Sequence, residues 1–89
     1  MDPRLYALHR DEQQRVANYF EPGMPTSRLE DHDDFGAWTI VERGPGRWLM
    51  RHYNRALMWV EVAGDKALSY ELVTGPAAIA LERQRNESP

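Results

Sequence analysis

The sequence predicts an α+β fold: an N-terminal helix, a four-stranded antiparallel β-meander and a short C-terminal helix packed on one sheet face. Apolar residues in the first twenty positions recur at helical spacing. From Gly36 onward, polar and apolar residues alternate as they do in half-buried strands. Short breaks rich in glycine, proline and asparagine divide this alternating region into hairpins. The length of 89 residues fits a single domain, residues 1–89.

The N-terminal helix is predicted over residues 3–20. The dipeptide Asp2-Pro3 is a typical start, because aspartate caps the first free N–H groups and proline tolerates the first helical position. A second start at Asp11 is compatible with the same pattern. The stripe expected to face the core consists of Leu5, Leu8, Val16, Tyr19 and Phe20. Glu12 interrupts this stripe.

Residues 21–35 are predicted to form an acidic connector, which begins with the helix-ending run Glu21-Pro22-Gly23. A capping-box pattern starting at Ser27 predicts a short helical turn within it. Carboxylates that could contact a basic partner are Glu30, Asp31, Asp33 and Asp34. The alternative is a solvated acidic loop. The run lacks the spaced ligands of a calcium loop and the paired histidines of a zinc site, so no metal site is predicted.

Strands are predicted at residues 37–43, 47–53, 56–63 and 67–73. The turns between them are Gly44-Pro45-Gly46, Asn54-Arg55 and Gly64-Asp65. Loops of these lengths would align large side chains on one face, with Ile40, Met50, Trp59 and Tyr70 in one row and Trp38, His52, Leu57 and Leu72 in the next. We expect His52 to be a packed, hydrogen-bonded histidine beside Trp38. Both terminal helices are expected to cover this face.

The C-terminal helix is predicted to begin after Thr74-Gly75-Pro76, and residues 86–89 are predicted to fray. With both helices on one side, the opposite sheet face would stay open. An open apolar face rimmed by arginine is typical of an interaction surface. The residues predicted to bind a partner there are Arg43, Arg47, Leu49, Arg51, Tyr53, Met58 and Val60. The alternative is that the acidic connector folds back over this face.

The arginines of the strand region also support a second hypothesis. The chain has a net charge of −3, but residues 36–55 carry four arginines against Glu42 alone. These arginines recur at every fourth position: Arg43, Arg47, Arg51 and Arg55. A basic band with neighbouring aromatic residues could hold a single-stranded nucleic acid. The acidic balance of the whole chain and the lack of a known nucleic-acid-binding motif argue against it.

The sequence contains no nucleophile–base arrangement and no phosphate-binding glycine loop, so neither catalytic residues nor a cofactor is predicted. We therefore expect a small non-enzymatic protein-binding domain, an inhibitor or adaptor. Its sharper form is a phage- or plasmid-encoded inhibitor of a host defence or nucleic-acid-handling complex. A homodimer is compatible with the open face, and a small homodimeric metal-binding protein or enzyme is a further alternative. The absence of cysteine, signal peptide and membrane span favours a cytoplasmic protein.

Overall fold

In a computed structural model of the chain, residues 4–87 are described (side chains through Asn86), and they form three α-helices and a five-stranded antiparallel sheet. The elements are α1 Arg10–Tyr19, β1 Met24–Pro25, a 3-10 helix Thr26–Glu30, α2 His32–Phe35, β2 Trp38–Arg43, β3 Arg47–His52, β4 Leu57–Ala63, β5 Lys66–Val73 and α3 Gly75–Glu87. The strand order is β1-β5-β4-β3-β2. The α+β class, the terminal helices and the four-stranded meander are confirmed, and β1 is an additional strand that the sequence analysis missed.

The N-terminal helix is shorter than the sequence predicted. It starts at Arg10, where the His9 side chain accepts a hydrogen bond from the Asp11 N–H at 3.3 Å. Residues 4–9 are not helical, because Tyr6 adopts a left-handed conformation with a φ of 67°. The Tyr6 N–H donates to the carbonyl of Asn54 at 2.8 Å. This segment is therefore tied to the β3–β4 turn, while the predicted start at Asp2-Pro3 lies outside the described residues.

The acidic connector is structured along its length. β1 pairs with the start of β5, through Met24 opposite Ala67. The predicted helical turn is present as the 3-10 helix, and the α2 turn follows it. Leu29 and Phe35 are each 2% exposed and belong to the larger of two apolar core clusters, one on each face of the sheet. The connector is therefore part of the layer that covers one face of the sheet.

Strand register departs from the prediction at two of the three hairpins and inside two strands. Trp38 pairs with His52 and Ile40 with Met50, as predicted. The β2–β3 turn is one residue shorter than predicted, because the Gly44 N–H donates to the carbonyl of Arg47. A register shift at Val41 accommodates the residue that this adds to β2. The β3–β4 loop is one residue longer, which reverses the faces of β4.

The β4–β5 hairpin keeps its predicted two-residue turn, in which Gly64 has a φ of 60°. A register shift at Leu68 then moves the pairing by one residue. This shift offsets the one at the β3–β4 loop, so Tyr70 and Leu72 lie on their predicted face. Trp59 and Leu57 lie on the opposite face, which contradicts the predicted rows.

Both faces of the sheet are covered. On one face, α1 and the connector pack over strand residues that include Met50, Met58 and Val60. On the other face, Tyr6 and α3 pack over residues that include Leu49 and Leu57. The prediction that both terminal helices share one face is therefore wrong. The reversal of β4 is the physical reason, because it gives each face its own set of large apolar side chains.

The C-terminal helix continues to Glu87. Asn86 and Glu87 are therefore helical rather than part of the predicted frayed tail over 86–89, whose last two residues lie outside the described range. In the part of the chain that the structure describes, no helix has the length and apolar character required to cross a membrane.

Candidate functional site

A surface pocket lies between the N-terminal segment and the β3–β4 turn. Its volume is about 600 Å³, and its wall combines the apolar side chains of Leu5, Ala7 and Leu8 with polar groups from Glu12 and His52. We call it the N-terminal pocket. Its size falls within the range of about 300–1,000 Å³ that is usual for ligand sites.

The β3–β4 turn shapes one wall of the pocket. The Asn54 side chain accepts a hydrogen bond from the Ala56 N–H at 3.0 Å and donates to the carbonyl of Ala7. Arg55 adopts a φ of 77°, and the His52 N–H donates to the Ala56 carbonyl at 2.8 Å. These bonds close a three-residue loop of the kind that ends in a left-handed residue. The loop directs His52 into the protein and Tyr53 outward.

His52 is the polar residue at the inner end of this wall, and it is 3% exposed. Its Nδ1 accepts a hydrogen bond from the Asn54 N–H at 3.3 Å, and its ring packs against the edge of Trp38 at a centroid distance of 5.0 Å. Burial lowers the pKa of His52, and neighbouring Asn54 and Glu12 oppose this effect without overcoming it. A neutral imidazole that accepts at Nδ1 carries its proton on Nε2.

The Nε2 atom of His52 is buried, and no hydrogen-bond partner in residues 4–87 reaches it. The nearest carboxylate oxygen, Oε1 of Glu12, lies 3.8 Å away, which is beyond hydrogen-bond distance. Glu12 is oriented by Trp38, whose Nε1–H donates to the same oxygen at 3.0 Å. The inner end of the pocket therefore holds a buried N–H donor without a partner among the described residues, next to a carboxylate that Trp38 fixes. This pair can donate to and accept from a polar group, and the described lining holds no serine, threonine or lysine for His52 to activate.

The predicted open face is absent from the described part of the fold. Leu49, Met58 and Val60 are each 0% exposed, so they cannot contact a partner directly. Met58 and Val60 lie under the α1 and connector layer, as in the alternative in which the connector folds back. Leu49 lies under α3. Tyr53 is different, because it is 82% exposed and lies at the rim of the N-terminal pocket.

The predicted arginine band is held by contacts within the chain. Arg43 pairs with Glu30, and the Arg47 guanidinium lies 3.8 Å from the centroid of the Trp59 ring. On the α3 side, the Arg51 Nε lies 3.1 Å from Glu82 Oε1. Tyr6 raises the pKa of Arg55, and the Tyr6 hydroxyl donates to Glu82 Oε2 at 2.8 Å. Arg43, Arg47 and Arg51 therefore each have a carboxylate or an aromatic ring as a partner within the chain.

The acidic contact loop is also organised by internal contacts. Glu30 pairs with Arg43, and Asp34 accepts from Arg28 at 3.1 Å. The Asp31 carboxylate caps α2 by accepting from the Asp33 N–H at 2.8 Å. Within residues 4–87, no group of three or more histidine, aspartate or glutamate side chains is placed to hold a metal ion.

Sequence reasoning recognised only part of the pocket. It predicted His52 beside Trp38, which the structure confirms, and it named Tyr53 for a different surface. It missed the role of Glu12, although an acid inside an apolar helical stripe is a usable signal for a buried polar contact. Searches against protein-family models, curated proteins and solved structures return no match to this chain.

Proposed function

We propose that this chain is a small non-enzymatic protein-binding domain, an inhibitor or adaptor, that takes an anchoring side chain of its protein partner into the N-terminal pocket. The observation that carries this proposal is the pocket of about 600 Å³ with Tyr53 82% exposed at its rim. Tyrosine is one of the residue types that contribute most to protein interfaces, and such residues cluster around pockets that exclude water.

The walls of the pocket support binding because they are already in place. Bonds from Tyr6 to Asn54, and from Asn54 to Ala7, join the N-terminal segment to the β3–β4 turn. A site that is ordered before binding loses less conformational entropy when the partner arrives. An anchoring side chain therefore meets a formed cavity.

Two other surfaces of the chain are weaker candidates for the partner-binding site. The arginines predicted to hold nucleic acid already pair with groups of the same chain. The predicted acidic loop forms the cap of α2 and ion pairs with Arg28 and Arg43. The N-terminal pocket combines a largely apolar wall, an exposed aromatic rim and the Nε2 of His52, unpartnered within the described chain, which together favour an anchored partner.

The experiment that tests the proposal is selection of short random peptides on the immobilised protein. Enriched peptides should share one large apolar or aromatic anchor, and their binding should shift the amide resonances of Leu8, His52 and Tyr53. Tyr53→Glu should abolish binding. Leu68→Glu is the matched control, because Leu68 is also an exposed apolar residue, at 46% exposure, and does not line the pocket.

Two results would overturn the proposal. One is the absence of any peptide whose binding depends on Tyr53. The other is equal loss of binding in Tyr53→Glu and Leu68→Glu when both variants keep the wild-type circular dichroism spectrum. Light scattering on the same samples measures self-association, which would place a second copy of the chain in the role of the partner.

A further inference from the structure

The free donor of His52 and the carboxylate of Glu12 define which chemical group fits the inner end of the N-terminal pocket. The N–H of Nε2 lacks an acceptor in residues 4–87 and is buried, so a ligand atom reaches it only when the lining side chains shift on binding. Oε1 of Glu12 already accepts from Trp38 and can accept from a second donor. The two atoms are 3.8 Å apart. An oxygen at about 2.8 Å from each of them spans this separation. A single hydroxyl group can accept from His52 and donate to Glu12 at the same time.

Other polar groups satisfy this pair less completely. An ammonium group can donate to Glu12 but cannot accept from His52, so the buried N–H would stay unpaired. A carboxamide can satisfy both atoms, but it brings a further N–H donor and a further acceptor position that need partners of their own. A carboxylate could accept from His52, but its negative charge would face that of Glu12. A hydroxyl is the group with the fewest unpaired positions.

The rest of the pocket determines what carries the hydroxyl. Besides His52 and Glu12, the lining consists of the apolar residues Leu5, Ala7 and Leu8, the rim residue Tyr53, and the polar residues Arg4, His9 and Asn54. A small aliphatic hydroxyl would leave most of the volume of about 600 Å³ unfilled. An aromatic ring fills more of it and packs on Tyr53.

From these contacts we infer that the N-terminal pocket is selective for a phenol, presented as a tyrosine side chain of the protein partner. This inference rests on the proposed function, because it names the anchor that the partner supplies. The phenol oxygen accepts from the Nε2–H of His52 and donates to Glu12, and the ring lies against the apolar wall. The lowered pKa of His52 supports it, since a neutral imidazole keeps Nδ1 as an acceptor and Nε2 as the donor.

The test compares p-cresol with toluene as probes for the wild-type protein, by titration followed with NMR. p-Cresol should bind about tenfold more tightly, because its hydroxyl supplies an acceptor to the buried N–H of His52 and adds a bond to Glu12, whereas toluene supplies neither. It should also shift the Nε2 resonance of His52, which is a readout that needs no variant. Equal affinity for the two probes would overturn the inference while leaving the pocket as an apolar anchor site.

Variants of His52 identify the atom responsible. His52→Leu should remove the preference for p-cresol over toluene, whereas His52→Gln, which keeps an N–H donor, should retain most of it. Should His52→Leu fail to fold, Glu12→Leu removes the acceptor instead and should reduce the same preference. A preference that survives in a folded variant without the donor or the acceptor contradicts the proposed bridge.

Peptides distinguish a protein tyrosine from a free phenol. A tyrosine peptide from the selection should lose about tenfold in affinity when its tyrosine is replaced by phenylalanine, and p-cresol should compete with it. Binding of p-cresol without binding of any tyrosine peptide would refute the tyrosine anchor and indicate a small phenolic ligand. Selected peptides with an aliphatic anchor would also refute it, yet would leave the proposed protein-binding function intact.

Discussion

Replacing Leu49 with alanine tests the finding that both sheet faces are covered. Leu49 is 0% exposed and packs with Tyr6, Leu57 and Ala78. The substitution removes three buried carbons at about 0.8 kcal/mol each, and the remaining cavity raises the cost to about 3 kcal/mol. A domain of this size has a free energy of unfolding of roughly 5–13 kcal/mol, so the loss is large. The melting temperature should fall by about 12–24 °C.

The assay is urea unfolding followed by tryptophan fluorescence and circular dichroism, with Leu68→Ala as the control. Leu68 is 46% exposed, so its truncation should change the free energy of unfolding by no more than about 0.5 kcal/mol. If Leu49→Ala lowers the free energy of unfolding as little as Leu68→Ala does, α3 does not cover this face. That result would favour the open interaction surface expected from the sequence.

Two further predictions concern a titrating group and a turn. Because burial lowers the pKa of His52 below 6.5, the unfolded chain binds a proton that the folded chain does not, so stability should fall as the pH drops from about 7 towards 5. The free energy of unfolding should change by at most about 1.4 kcal/mol per pH unit. This pH dependence should become weaker in His52→Gln but not in His32→Gln, which serves as the exposed-site control. Gly64→Ala should cost about 1 kcal/mol in urea unfolding, because Gly64 has a φ of 60°. Gly46→Ala should be close to neutral, since its added carbon meets open space; equal effects in the two glycine variants would contradict the turn geometry.

Local sequence patterns predicted the elements well and their registry less well. The turn at Gly64-Asp65 and the pairing of Trp38 with His52 were predicted, since glycine and alternating side chains act over a few residues. The three-residue loop that follows His52 was not predicted, because Asn54-Arg55 also reads as a two-residue turn. The longer loop is stabilised by the Asn54 side chain, which accepts from the Ala56 N–H and donates to the carbonyl of Ala7. The second of these partners is remote in sequence, so the turn alone could not indicate it.

The candidate site depended on that same loop. With β4 in the observed register, Met58 and Val60 enter the larger core, and the face that remains is covered by α3. The N-terminal pocket then forms where residues 4–9 leave the helical path to meet the turn. Its polar pair comes from α1 and β3, which are brought together by tertiary packing.

Local sequence features were enough to predict the α+β class, the approximate strand positions, the terminal helices and the placement of His52 beside Trp38. These features follow from periodicity, turn residues and side-chain size, which act locally along the chain. Long-range packing set which helix covers which face. It also paired the arginines of the predicted band with groups of the same chain and brought Glu12 beside His52. Those outcomes depend on a one-residue difference in strand register, and in a sheet such a difference moves every following side chain to the opposite face.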